Sequence, residues 1–203
     1  MKDHKNTFYA MLDRMKYIER WSLMNNIKKE NLKEHTFDVI VLVHALIMIR
    51  KVYFPENKPQ LNPGEAALYA LYHDASEIIT GDLPTPIKNF NNSLKEQYQK
   101  VELYAENVLL EHLPVELRSE YEQYFKPDFS NKLTQTTLQF VKYADTLSAY
   151  VKCINELKLG NLEFKDAAIS TKEKLISYNS DEVNFFLENI IPAYELNLDQ
   201  LQK

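Results

Sequence analysis

Glycine is nearly missing from this chain. Gly64, Gly81 and Gly160 are the only three among 203 residues. Tight turns between strands draw on glycine for positive φ, so a sheet-rich fold of this length needs more of it. Each of the three stands at the edge of a stretch with helical apolar spacing. The chain is therefore expected to be an all-α helical bundle. With no repeat, low-complexity segment or linker, residues 1–203 are expected to form a single domain.

Apolar spacing predicts helices over 7–18, 34–53, 62–80, 93–112, 115–124, 131–159, 164–178 and 181–197. The start at Asn62 is the clearest, with an N-cap asparagine, Pro63 at the first helical position and Glu65 three residues after the cap. That helix is expected to pack Ala66, Ala67, Tyr69, Ala70 and Leu71 on the core and to stop at Gly81 in a left-handed conformation. In the helix from Glu34, the predicted buried stripe is Phe37, Ile40, Val41, His44, Ala45 and Met48. Leu83-Pro84-Thr85-Pro86 reads as a stiff extended loop.

A hydrophobic fraction of 45% fits a globular chain, not a disordered one. The net charge of -5, with no long basic run, argues against nucleic-acid polymers as partners. The longest apolar stretch, Val39 to Ile49, is shorter than the roughly 20 residues a bilayer span requires. The N-terminus lacks an apolar secretory core. A cytoplasmic protein that neither enters nor crosses membranes is expected. The lone Cys153 excludes an internal disulfide and reads as buried filler.

The chemistry gathers around His73-Asp74, two polar residues late in an apolar helical pattern. Glu77 shares a helix face with His73, and Asp74 lies roughly 100° around the helix from it. His35 lies upstream and Asp145 downstream, each in its own helical stretch. Asp145 stands in the largely apolar run Phe140 to Tyr150, where an ionised carboxylate is costly without a partner. Imidazole and carboxylate together suit Mn, Co, Fe or Zn, and a set of His35, His73, Asp74 and Asp145 leaves coordination positions for water and a phosphoryl oxygen. Taken singly, each residue has a plainer reading: a satisfied histidine, a helix-end pair, a carboxylate paired with Lys or Arg. His44 is expected in the core. His112 at a helix end and His4 at the terminus are set aside.

The order H…HD…D on successive helices resembles the HD-domain phosphohydrolases. The string His-Asp-Ala-Ser-Glu-Ile-Ile-Thr-Gly-Asp-Leu-Pro-Thr-Pro-Ile-Lys at 73–88 resembles more narrowly the YfbR-type 5'-deoxynucleotidases. Three further segments agree in order: Arg20-Trp21-Ser22-Leu23-Met24, Glu30-Asn31-Leu32-Lys33-Glu34-His35 and Ala144-Asp145-Thr146-Leu147-Ser148-Ala149-Tyr150. The likeness spans about residues 17–157; helices over 160–203 close the domain and carry no matching motif.

The resemblance implies an all-α HD-domain bundle, usually a homodimer, that removes phosphate from deoxyribonucleoside 5'-monophosphates with one divalent metal ion, Co, Mn, Mg or Zn. It implies His35, His73, Asp74 and Asp145 as metal ligands, and Glu77 and Asp82 as catalytic residues. It also places Arg20 and Trp21 at the substrate. Glu77 would handle a proton, and Asp82 would bind the sugar hydroxyl or position Glu77. Arg20 would grip phosphate with its planar fork. Trp21 would crowd a 2'-hydroxyl. Lys88 reads as a solvated lysine. Two rivals stand beside this: another HD phosphohydrolase acting on dNTPs or a phosphodiester, and an inactive nucleotide-sensing module. Only His112 lies between His73 and Asp145, which favours one metal over two.

Overall fold

Polar caps decide where these helices begin. In the computed structural model, which describes residues 6–56, 58–88 and 90–203, the chain runs through α1 (Phe8–Leu12), α2 (Leu32–Tyr53), α3 (Pro63–Tyr72), α4 (Glu77–Thr80), α5 (Thr85–Lys88), α6 (Asn92–Glu111), α7 (Arg118–Phe125), α8 (Lys132–Lys158), α9 (Lys165–Ser177), α10 (Asp181–Asn189) and α11 (Leu198–Leu201). Asn31 accepts from the amides of Lys33 and Glu34 while Glu34 reaches back to the Asn31 amide, a capping box worth about 1 kcal/mol. It starts α2 at Leu32, slightly before the expected Glu34. Asn62 caps α3 in the predicted way, with Pro63 in the first turn. Asn91, Asn131 and Ser180 cap α6, α8 and α10.

All regular structure among the described residues is helical, apart from one antiparallel pair, Glu19 with Asn31. The all-α expectation holds. No helix among the described residues is long and apolar enough to cross a membrane. His4 lies outside the described residues.

The larger core packs α2 against α3 and α8, with Val43, Leu46, Phe140, Leu147 and, from the C-terminal helices, Phe164, Leu175 and Phe186 fully or almost fully buried. A smaller aromatic core joins α1, α6 and α7 through Phe8, Tyr72, Leu109, Leu113 and Phe125. Tyr72 is the last residue of α3. The His-Asp pair therefore sits where α3 passes from one core to the other.

Four expectations are corrected. The buried side of α2 is His35, Thr36, Val39, Leu42, Val43, Leu46, Ile47 and Ile49; of the expected stripe, Ile40, Ala45 and Met48 are half-buried against the core, while Phe37 is 66% exposed, Val41 50%, and His44 faces solvent. The helix is apolar on nearly every side, so two stripes satisfy its spacing, and the packing of α3 and α8 selects the one bearing His35. Second, the helix from Asn62 does not run unbroken to Thr80. It tightens from i+4 to i+3 hydrogen bonds after Tyr72, with Ala75 N on Tyr72 O and Glu77 N on Asp74 O, before α4 resumes. Gly81 ends it at φ 74 and ψ 162, beyond the left-handed helical region and open essentially to glycine alone.

Third, the Leu83–Pro86 segment is not wholly extended. α5 opens within it, with Pro84 O accepting from Ile87 N and Lys88 N. Pro86 falls in the first turn, where no amide is needed. Fourth, the 7–18 helix changes to 3-10 over Asp13–Tyr17.

Candidate metal centre

Three elements converge on one point: α2 carries His35, the tightened turn after α3 carries His73 and Asp74, and α8 carries Asp145. The ligand atoms of His35, His73 and Asp145 all lie within 4.8 Å of one another. His35 Nε2 is 3.2 Å from Asp145 Oδ1, and Asp74 Oδ2 stands 3.1 Å from His73 Nε2 and 3.6 Å from His35 Nε2. The structure thus brings together every predicted ligand. The tightened turn is what allows His73 and Asp74, neighbours in sequence, to face the same point.

The second ring nitrogens are already committed. His73 Nδ1 donates to the carbonyl of Ala70 at 2.6 Å, and His35 Nδ1 lies 3.0 Å from the buried hydroxyl of Ser148. A carbonyl can only accept, so the proton of His73 on that side is fixed. Both Nε2 atoms are buried without a hydrogen-bond partner. Two such nitrogens turned to the same gap beside two carboxylates are what a divalent cation needs, and the outer bonds hold the rings as a ligand shell requires. The residues fit the metal.

Burial holds the His35 imidazole below its ordinary pKa, which leaves it neutral. Burial also presses on His73, but Asp74 and Asp145 outweigh it and lift His73 to about 9. Burial works against the Asp74 charge too, yet His73, His35 and Arg20 carry it well below the carboxylate range. Asp145 is 37% exposed, so the apolar sequence around it does not enclose it as expected; the His35 contact outweighs desolvation and lowers its pKa.

Arg20 comes from the loop between the 3-10 turn and α2. Its Nε donates to Glu30 Oε1 at 3.1 Å and its Nη1 lies 3.4 Å from Asp74 Oδ2. Trp21 adopts φ 57, uncommon for a residue with a Cβ. Its ring packs 5.4 Å from Phe164, and its buried Nε1 has no partner. Glu77 is almost fully buried. Lys88 donates to its Oε1 at 2.8 Å, while Oε2 is left without a partner. Burial and the Asp74 charge raise the Glu77 carboxyl to about 7. The Asp82 charge bears on both Arg20 and Glu77, without a hydrogen bond to either.

Glu30 and Ser148 are not singled out by the sequence, and Lys88 reads there as solvated. Lys88 is not a freely solvated lysine; its side chain is 27% exposed and paired to Glu77. Glu30 and Ser148 sit behind Arg20 and His35. Both lie in the motif segments, but nothing about their type marks them as supports. His112 does structural work, bonding Thr7 Oγ1 at 2.6 Å at the start of α1. Cys153 is buried and free, its thiol pushed up to about 12 by burial, and is inert filler as expected.

The fold defines the class. An HD-domain phosphohydrolase from Listeria innocua superposes with a TM-score of 0.77 over 97% of this chain and 92% of its own, at 19% identity. A cyanophage S-2L HD phosphohydrolase, described as bound to dA and one catalytic Zn2+ ion, superposes with a TM-score of 0.60 over 90% and 95% of the two chains, at 24% identity. The architecture is that of HD-domain phosphohydrolases.

Sequence narrows this. Residues 7–194 match the family described as 5'-deoxynucleotidase YfbR-like. A 5'-deoxynucleotidase of Erwinia tasmaniensis is 41% identical over 97% of this chain and 96% of its own, and one of Vibrio cholerae is 42% identical over 96% and 97%. The chain belongs to the YfbR-like 5'-deoxynucleotidase family.

Proposed function

We propose that this protein hydrolyses deoxyribonucleoside 5'-monophosphates to a deoxynucleoside and inorganic phosphate. The observation that carries the reading is the pair of buried, unpartnered Nε2 atoms of His35 and His73, set against Asp74 and Asp145 in a chain of this family. His35, His73, Asp74 and Asp145 would hold one divalent cation, whose Lewis acidity would polarise a phosphoryl oxygen and acidify a water. One ion accords with the single Zn2+ described for the cyanophage neighbour.

The protein's own groups do the rest. Arg20 presents its guanidinium to the phosphate oxygens, a geometry suited to bidentate contact. The water oxygen bonds to phosphorus, the bond from phosphorus to the 5'-oxygen breaks, and the proton lost by water ends on the 5'-oxygen. A carboxyl that titrates near 7, as Glu77 does, can take that proton and return it. Asp82, one residue past Gly81 and with its charge bearing on Arg20 and Glu77, would receive the sugar hydroxyl. Trp21 closes over the sugar and crowds a 2'-hydroxyl. A homodimer, as the family likeness implies, belongs to the same reading, and sedimentation would test it.

Phosphate release from deoxy- and ribonucleoside monophosphates and from dNTPs, with Mn, Co or Mg added, tests the proposal. Orthophosphate from deoxynucleotides is expected. Triphosphate released from dNTPs would make the protein a triphosphohydrolase. Tight nucleotide binding without turnover would make it a sensor.

A further inference from the structure

Glu30 stands where the phosphate arm meets the metal helix. Its side chain is 12% exposed, a costly place for a carboxylate. Oε1 accepts from Arg20 Nε at 3.1 Å, and the same oxygen lies 3.9 Å from His35 Nδ1. The backbone repeats the link: Arg20 N donates to Glu30 O at 3.0 Å and Leu32 N to Ile18 O at 2.9 Å, on either side of the Glu19–Asn31 pair. Asn31, next in the chain, caps the helix that carries His35.

This arrangement divides the guanidinium. Nε is held by Glu30, Nη1 leans on Asp74, and Nη2 has no hydrogen bond to a described residue. A free arginine would sample many rotamers, and one anchored at Nε keeps its outer edge aimed at the centre. Arg20 also sits beside Trp21, whose positive φ fixes the direction of the loop.

We propose that Glu30 is a positioning residue that fixes the Arg20 guanidinium for the phosphate group. The proposal rests on the nucleotidase reading above for the identity of the anion. Glu30 touches no substrate; it acts through Arg20.

The test is a double-mutant cycle of Glu30→Ala and Arg20→Ala on Mn-loaded protein. It is read twice, as the dissociation constant of inorganic phosphate by calorimetry and as kcat/KM. Glu30→Ala is expected to weaken phosphate binding and lower kcat/KM by roughly tenfold in the wild-type background, and to cost almost nothing further once Arg20 is gone. A merely structural role would cost the same in both backgrounds, and that result would overturn the proposal. So would wild-type affinity for phosphate that Arg20→Ala does not reduce, or unchanged phosphate affinity in Glu30→Ala. Where Glu30→Ala does not fold, Glu30→Asp takes its place in the cycle, because it keeps the charge but withdraws the acceptor from Nε. Phosphate binding without release of phosphate from any nucleotide would refute the nucleotidase reading alone, and the calorimetric cycle would still decide the role of Glu30.

Discussion

Lys88 Nζ donates to Glu77 Oε1 across 2.8 Å, and this bond ties α5 back onto the start of α4. Burial and Asp74 raise the Glu77 carboxyl to about 7, while Lys88 pulls the other way. Lys88→Met removes the pull, so the Glu77 pKa rises. The acidic limb of the rate–pH profile should move to higher pH in that variant. A limb that stays in place would assign it to another group. Glu77→Ala should keep the metal and lose roughly 10²–10⁴ in kcat, as expected for loss of a general acid–base group. Metal analysis beside the kinetics checks both halves, since loss of metal would make Glu77 a ligand.

His73 in the metal-free protein holds a proton up to about pH 9, because Asp74 and Asp145 outweigh burial. A metal bound through Nε2, as proposed, would have to displace that proton. Metal affinity should therefore climb with pH, roughly tenfold per unit for one competing proton, and level off above the His73 pKa. Calorimetry in buffers of different ionisation heat reads the proton released. Affinity that is flat between pH 6 and 8 would contradict the protonated His73.

Ser148 fixes the orientation of His35 from behind, at 3.0 Å from Nδ1. Ser148→Ala should leave the fold intact and weaken metal binding by roughly 10–100-fold, the usual cost of losing an outer support. Competition against a chelator of known affinity measures it.

Much of this centre is legible in the sequence, and the limits have physical causes. His35 and Asp145 lie on helices and His73-Asp74 just past the end of the helix that Asn62 announces; their order along successive helical stretches, with the family likeness, is what joins them. The break after Tyr72 is not announced. Whether amides bond at i+3 or i+4 there is settled by packing between the two cores, and no residue from Ala70 to Ser76 is a helix breaker. The rotation of α2 is hidden for a related reason. Phe37, Val41 and His44 recur at helical spacing as regularly as Val39, Val43 and Leu46. Supports such as Glu30, Ser148 and Lys88 are ordinary residues made special by what lies opposite, which the sequence does not pair.

Glu156 shows the same limit on the C-terminal side. It is fully buried on α8 and accepts from Lys152, from Asn161 and from the amides of Ile27 and Lys28. The loop that carries Arg20 and Trp21 is thereby clamped to the segment leading into α9. Burial opposes the Glu156 charge, but these donors hold its pKa down to about 2. A depressed carboxylate stabilises the fold above its unfolded value of 4.5 and loses that contribution as pH falls towards 2. Glu182, held by Ser180 and Arg50 to about 2, acts in the same window. Urea unfolding should show stability falling between pH 4.5 and 2. Glu156→Gln should be destabilised by about 3 kcal/mol at pH 7, as when one partner of a buried ion pair is removed, and should lose less on acidification. Identical acid sensitivity in variant and wild type would assign the loss elsewhere.

The central claim is that His35, His73, Asp74 and Asp145 form one metal centre on which dephosphorylation depends. Its most direct test is phosphate release from a deoxyribonucleoside 5'-monophosphate, measured as a divalent metal is titrated into chelator-stripped protein at concentrations far above the dissociation constant. Activity should rise from near zero and break at one metal per chain, and His73→Ala should remove the break. Full activity in the stripped protein, or a break at two metals per chain, would contradict the account.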